Sequence, residues 1–137
     1  MPIDYHVPNR KGHFMLVGTT TLYNDMSQKF YIFNGQSSSF STEPQCKIKL
    51  GSNGRVIKFQ LYCSNNSRAI ATFFGIRING VNKNTITIPA TTTGLFEETT
   101  VNPIAKGDYV NMQITPDGFS PNPITFTLEA LEIEVLP

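Results

Sequence analysis

Two histidines, two cysteines and ten carboxylates are among the side chains in this chain that can do acid, base, nucleophilic or ligand chemistry. Their spacing argues against a reactive centre. Nucleophilic catalysis needs a Ser or Cys held by a base. Here His6 and His13 both fall in an irregular N-terminal segment, and Cys46 and Cys63 fall on apolar faces, Cys46 with Ile48 and Leu50, Cys63 with Ile57, Phe59 and Leu61. A buried free thiol is favoured over a disulfide, because no secretory signal accompanies the pair. Glycoside cleavage needs two facing carboxylates, yet Glu97 and Glu98 are adjacent on a strand and point to opposite faces. Glu132 and Glu134 share a face about 7 Å apart, which a solvated outer surface explains. No His, Cys or Asp cluster has metal-ligand spacing, and no Gly-rich phosphate loop joins a strand to a helix. No catalytic, cofactor-binding or metal-binding residue is expected, and the chain reads as a non-enzymatic protein.

The elements that carry these residues are strands. Ala105 to Thr115 opens with a Gly107-Asp108 turn and alternates Val110, Met112 and Ile114 on one face with Tyr109, Asn111 and Gln113 on the other. Other period-two runs recur between turn residues: Phe30–Phe33, Cys46–Leu50, Val56–Ser64, Ile70–Ile78 ending at Asn79-Gly80, Thr85–Ile88, Leu95–Val101 and Ile124–Val135. The Gly51-Ser52-Asn53-Gly54 turn predicts a hairpin between Cys46–Leu50 and Val56–Ser64. In the last run Ile124, Phe126 and Leu128 point inward, but the inward set continues as Leu131, Ile133 and Val135. One strand cannot change parity without an extra residue, so a β-bulge is predicted around Glu129–Leu131. About eight strands with abundant Thr and paired turn residues predict an antiparallel β-sandwich, with a jelly roll ahead of an immunoglobulin-like form. The absence of Trp and the 17 positions between the cysteines weaken the latter.

At 137 residues the chain has the size of one domain. Only 15% of it is charged and the net charge is +1, so no nucleic-acid footprint is indicated. Residues 1–68 carry eight Lys/Arg against three Asp/Glu, and residues 69–137 carry three against seven. That polarity either helps identical subunits meet or cancels within one sandwich. No signal peptide and no apolar run of membrane-spanning length is seen, so a soluble protein without membrane contact is expected.

The Gly107-Asp108-Tyr109-Val110 opening of a late strand follows the Ile76-Arg77-Ile78-Asn79-Gly80 strand end and precedes the closing strand at 124–135. This arrangement resembles the jelly rolls of the tumour-necrosis-factor and complement globular-head superfamily, and still more the small Thr-rich jelly rolls of tailed-phage virion proteins. The resemblance covers residues 29–137, and the chain departs from the animal members in lacking a collagen-like stalk and tryptophans. It implies a homotrimer fixed to a larger assembly, such as a capsid decoration protein, a head fibre or a receptor-binding tip. A major capsid protein or other virion protein is then the partner, and the virion surface the location after synthesis in the host cytoplasm.

Residues 1–28 break the strand rhythm and are set apart from a jelly-roll domain at 29–137. They read as an arm that anchors to a capsid, through Tyr5 and Val7 in pockets and Arg10 and Lys11 on acidic groups, or else as a frayed terminus, or as a first strand around Phe14 to Val17 packed on its own domain. Within the domain Phe73 takes the outward parity beside Ala71, Gly75 and Arg77. It serves a trimer contact or lies under a loop; Tyr62 and Tyr109, also outward, either join the same contact or simply meet solvent through their hydroxyls. The leading functional reading is a trimeric decoration (cement) protein that stabilises a shell by bridging capsid subunits. The alternative is a receptor- or glycan-binding jelly-roll module using the loops Gln36–Phe40, Thr91–Gly94 and Gly118–Asn122. Sugar recognition wants an exposed aromatic platform, which Phe40, Phe119 or a tyrosine would supply.

Overall fold

The structure, a computed structural model, describes residues 12–16, 20–23, 28–31, 39–40, 48–117 and 122–136. Twelve strands are formed among them. They are β1 (Gly12–Leu16), β2 (Thr20–Tyr23), β3 (Lys29–Tyr31), β4 (Ser39–Phe40), β5 (Ile48–Lys49), β6 (Gly54–Asn66), β7 (Thr72–Ile78), β8 (Val81–Ile88), β9 (Gly94–Glu98), β10 (Asn102–Ile104), β11 (Tyr109–Pro116) and β12 (Ile124–Val135).

All pairings are antiparallel, in two sheets. In the first, β12 and β6 run side by side, with β1 and β2 along the free side of β12 and β9 and β10 along the free side of β6. In the second, β11 lies beside β7, β7 beside β8, and β3 and β5 share the other side of β11, with β4 outside β3. β1 and β2 lie end to end on one neighbour, as do β3 and β5, and β9 and β10. Counting each such pair once and leaving β4 aside as an edge strand gives eight positions, in sheet orders 1-8-3-6 and 2-7-4-5. This is the jelly roll. Its chain crosses between sheets at nearly every connection and makes a single hairpin within this order, β7 to β8.

The core follows from side-chain alternation. Phe59, Leu61, Cys63, Phe126, Leu131 and Ile133 from one sheet meet Phe74, Ile76, Ile88, Val110, Met112 and Ile114 from the other. Phe74 and Phe126 meet edge to face across the interior, with centroids 5.0 Å apart at 73°. Asn79 and Gly80 both take positive φ, 51° and 79°, as a two-residue hairpin between right-twisted strands requires.

The parity change in the closing strand is a bulge. Leu128 pairs with Leu61 and Ala130 with Gln60, leaving Glu129 as the extra residue, exposed. Two other expectations are corrected. Cys46–Leu50 and Val56–Ser64 do not form a hairpin: β5 pairs with β11 and β6 with β12, in opposite sheets. The turn between them crosses the sandwich, held because Leu50 N donates to Asp108 O and Gly107 N to Leu50 O, both at 2.8 Å. Ile57 is half-buried while Val56 is enclosed, because a second irregularity between Glu132 and Ile133 shifts the parity of β6 at that point. Cys63 is a buried free thiol, pushed above its ordinary pKa by burial against the opposing pull of its contact with Asn65 O. Cys46 lies outside the described residues.

The pairing also reaches into the segment set apart as an arm. β1 and β2 hydrogen-bond to β12, Phe14 opposite Ile133 and Thr21 opposite Phe126, matching the reading that placed a first strand near Phe14.

Candidate functional site

β7 turns Thr72, Phe74, Ile76 and Ile78 into the core and leaves Phe73, Gly75 and Arg77 on the outer face of its sheet. Phe73 stays 39% exposed, between Thr115 of β11 and Thr87 of β8. At the far end of β8 the pairing slips: Ile76 faces Asn84, but Arg77 faces Asn82, so Lys83 is extra. By plain alternation Asn82 would point inward with Asn84, Ile86 and Ile88. The bulge turns it outward instead.

Outside, the Asn82 carboxamide lies across Gly75. A Cβ on that glycine would stand 2.7 Å from Asn82 Oδ1, so only a residue without one lets the amide settle there. Two bonds orient it. Arg77 Nη1 donates to Asn82 Oδ1 at 3.1 Å, and Asn82 Nδ2 donates to Gln113 Oε1 at 3.0 Å. Arg77 Nη1 also donates to Gln113 Oε1 at 3.1 Å, and Arg77 Nη2 to the Gly80 carbonyl. The guanidinium sits 5.7 Å from the Phe30 ring centroid, a cation–π contact that fixes its far side.

Hydrogen-bond counting shows what remains available. Gln113 Oε1 accepts twice and is saturated. Asn82, exposed, has used one of two N–H groups and one of two carbonyl lone pairs, so it offers one donor and one acceptor from a fixed plane. Gly75, beneath it, is two residues from Phe73, roughly 7 Å along the strand. An aromatic surface and an oriented carboxamide therefore stand on neighbouring rungs of one face.

The residues expected at an oligomer contact divide between two surfaces. Phe73, Arg77 and Tyr109 lie on the outer face of the β3/β5–β11–β7–β8 sheet, but Tyr62 lies on the outer face of the other sheet, opposite Leu95 and Thr127. Parity tells outward from inward and says nothing of which sheet a strand joins, so one patch was expected where there are two. Arg77, moreover, is spent on its own chain. Asn111 and Gln113 share the outward parity of β11 yet are enclosed, because this face is covered around them, in part by Phe30 and Arg77.

Of the recognition loops, the connections after β8 and after β11 meet at one end of the sandwich. Asn66 Nδ2 donates to Pro89 O at 3.1 Å and Thr92 O at 3.0 Å, and the fully buried Arg68 donates through Nη1 to Asn122 O at 3.1 Å. Phe119 lies outside the described residues, as do Tyr5, Val7, Arg10 and Lys11 of the anticipated anchor. Phe40 is placed at a register position opposite Phe30, on the rung that continues through Gln113 to Gly75. At the other end Asp108 accepts from Ala105 N at 2.8 Å and from Asn79 Nδ2 at 2.9 Å, which lowers its pKa, the backbone bond contributing most.

The sequence pointed to Phe73 and Arg77 and missed Asn82 and Gln113. Asn82 was hidden because a bulge in a polar strand leaves no parity break among apolar residues. The small residue at 75 was the one available signal.

No protein-family profile and no curated protein matches the chain, so the tie to virion proteins gains no support there. Among solved structures it is similar to a family 35 carbohydrate-binding module from Clostridium thermocellum, at 13% identity and a TM-score of 0.42 over 90% of this chain and 98% of that one. It is also similar to an insecticidal delta-endotoxin from Bacillus thuringiensis, at 9% identity and a TM-score of 0.39 over 87% of this chain and 25% of that longer one. Likenesses this loose fix neither ligand nor partner.

Proposed function

We propose that the chain is a non-catalytic glycan-binding module, with the outer face around Phe73 and Asn82 as its ligand surface. A pyranose has a C–H face and a rim of hydroxyls. The exposed ring of Phe73 accepts the first, and the spare donor and acceptor of Asn82 pair with two neighbouring hydroxyls of the second. The observation that carries this reading is the Asn82 carboxamide itself, held by Arg77 and Gln113 in one plane with half of its hydrogen-bonding capacity turned to solvent. Orientation fixed before binding spares the ligand part of the cost of ordering that group. Exposed Thr87, opposite Phe73, adds a hydroxyl at the edge of the same surface.

The test is a glycan array followed by titration of the strongest binder. Phe73→Ala is expected to weaken binding about tenfold or more, equal to about 1.4 kcal/mol. Gly75→Ala is expected to act similarly without touching the aromatic, because its methyl group displaces the Asn82 amide. Unchanged affinity in both variants contradicts the reading.

A further inference from the structure

We infer that the molecule carries a second glycan surface on the opposite side of the sandwich, centred on Tyr62, so that one chain binds two glycans. This rests on the glycan reading of the Phe73 face and extends it to an independent set of residues. Tyr62 is 44% exposed and pairs across β6 and β9 with Leu95, which is 59% exposed. Together they form an exposed apolar pair on the outer face of that sheet, Leu95 standing on its edge strand.

The neighbouring rung supplies the polar half. Gln60, two residues from Tyr62 on β6 and so about 7 Å away, pairs with Glu97 of β9. Gln60 Nε2 donates to Glu97 Oε2 at 3.0 Å, and Lys58 Nζ stands 4.0 Å from the same oxygen. Gln60 keeps a second N–H and its carbonyl, and Glu97 keeps Oε1, so this rung also presents an oriented donor beside acceptors. Both outer faces thus repeat one plan: an aromatic on one rung, and on the next an amide whose direction is set by a neighbour.

The platforms belong to different sheets, about 10 Å apart through the core, and face away from each other. A single short glycan cannot reach both. On the Tyr62 side the outer face carries Glu97, Glu129 and Glu132 against Lys58 among the described residues, which disfavours anionic sugars there and points to a neutral glycan.

The experiment is the binding stoichiometry per chain, by calorimetric titration with the neutral oligosaccharide that binds best on the array. Two equivalents are expected for the unaltered protein, one for Tyr62→Ala, one for Phe73→Ala and none for the double variant. Tyr62→Phe, which keeps a platform, is expected to retain both. A stoichiometry of one that Phe73→Ala abolishes and Tyr62→Ala leaves unchanged overturns the second surface while the first stands. Failure of every glycan to bind overturns both.

Discussion

At the scale of single residues, the turn at Lys106-Gly107-Asp108 shows how one carboxylate organises an end of the sandwich. Gly107 takes a φ of +93°, and Asp108 accepts from the backbone of Ala105 and from Asn79 in the β7–β8 turn. In return Tyr109 N donates to Asn79 Oδ1 at 3.0 Å, so the two turns lock each other. Because folding lowers the pKa of Asp108, its contribution is complete above the unfolded-state pKa and fades as pH falls through the folded-state value. Asp108→Asn is therefore expected to melt lower than the unaltered chain at neutral pH, with the gap narrowing in acid. Melting curves across that range check it, and a gap independent of pH contradicts it. Phe73 and Arg77 were legible as outward residues from alternation alone. Their partners were not, since Asn82 and Gln113 become neighbours only through a pairing across three strands.

Elements in this fold are defined as much by their irregularities as by their alternation. The extra residue at Glu129 lets Leu128 and Leu131 both face the core, and Ala130 continues the pairing opposite Gln60. Removing Glu129 would drive one half of β12 to the wrong face. Deletion of that residue is expected to abolish cooperative unfolding in urea, whereas Glu129→Ala, at an exposed position, should change stability by less than about 0.5 kcal/mol. A deletion variant with an ordinary unfolding transition would show that the bulge does not set the register. This irregularity was visible in the sequence because it broke the period of an apolar row. The shift near Val56 was masked, since Val56 and Ile57 are both apolar and either satisfies the pattern. The crossing of Gly51–Asn53 was masked for another reason: a Gly-rich turn between two strands reads as a hairpin unless the partners of each strand are known. In a jelly roll those partners are remote in sequence.

On the scale of the whole molecule, two sheets bury one core and leave two broad outer faces, so the surfaces available for recognition are set by topology. The sequence supplied the sandwich and the outward residues, but distributed them on a single imagined patch. The fold puts Phe73 with its amide network on one side and Tyr62 on the other. The most direct test is a nuclear magnetic resonance titration of isotope-labelled protein with the strongest array ligand. Shift changes are expected at Phe73, Gly75, Arg77, Asn82, Thr87 and Gln113, along with the side-chain amide protons of Asn82. Changes confined to the loops at either end of the sandwich, with the Phe73 face silent, would contradict the assignment of that face as the ligand surface.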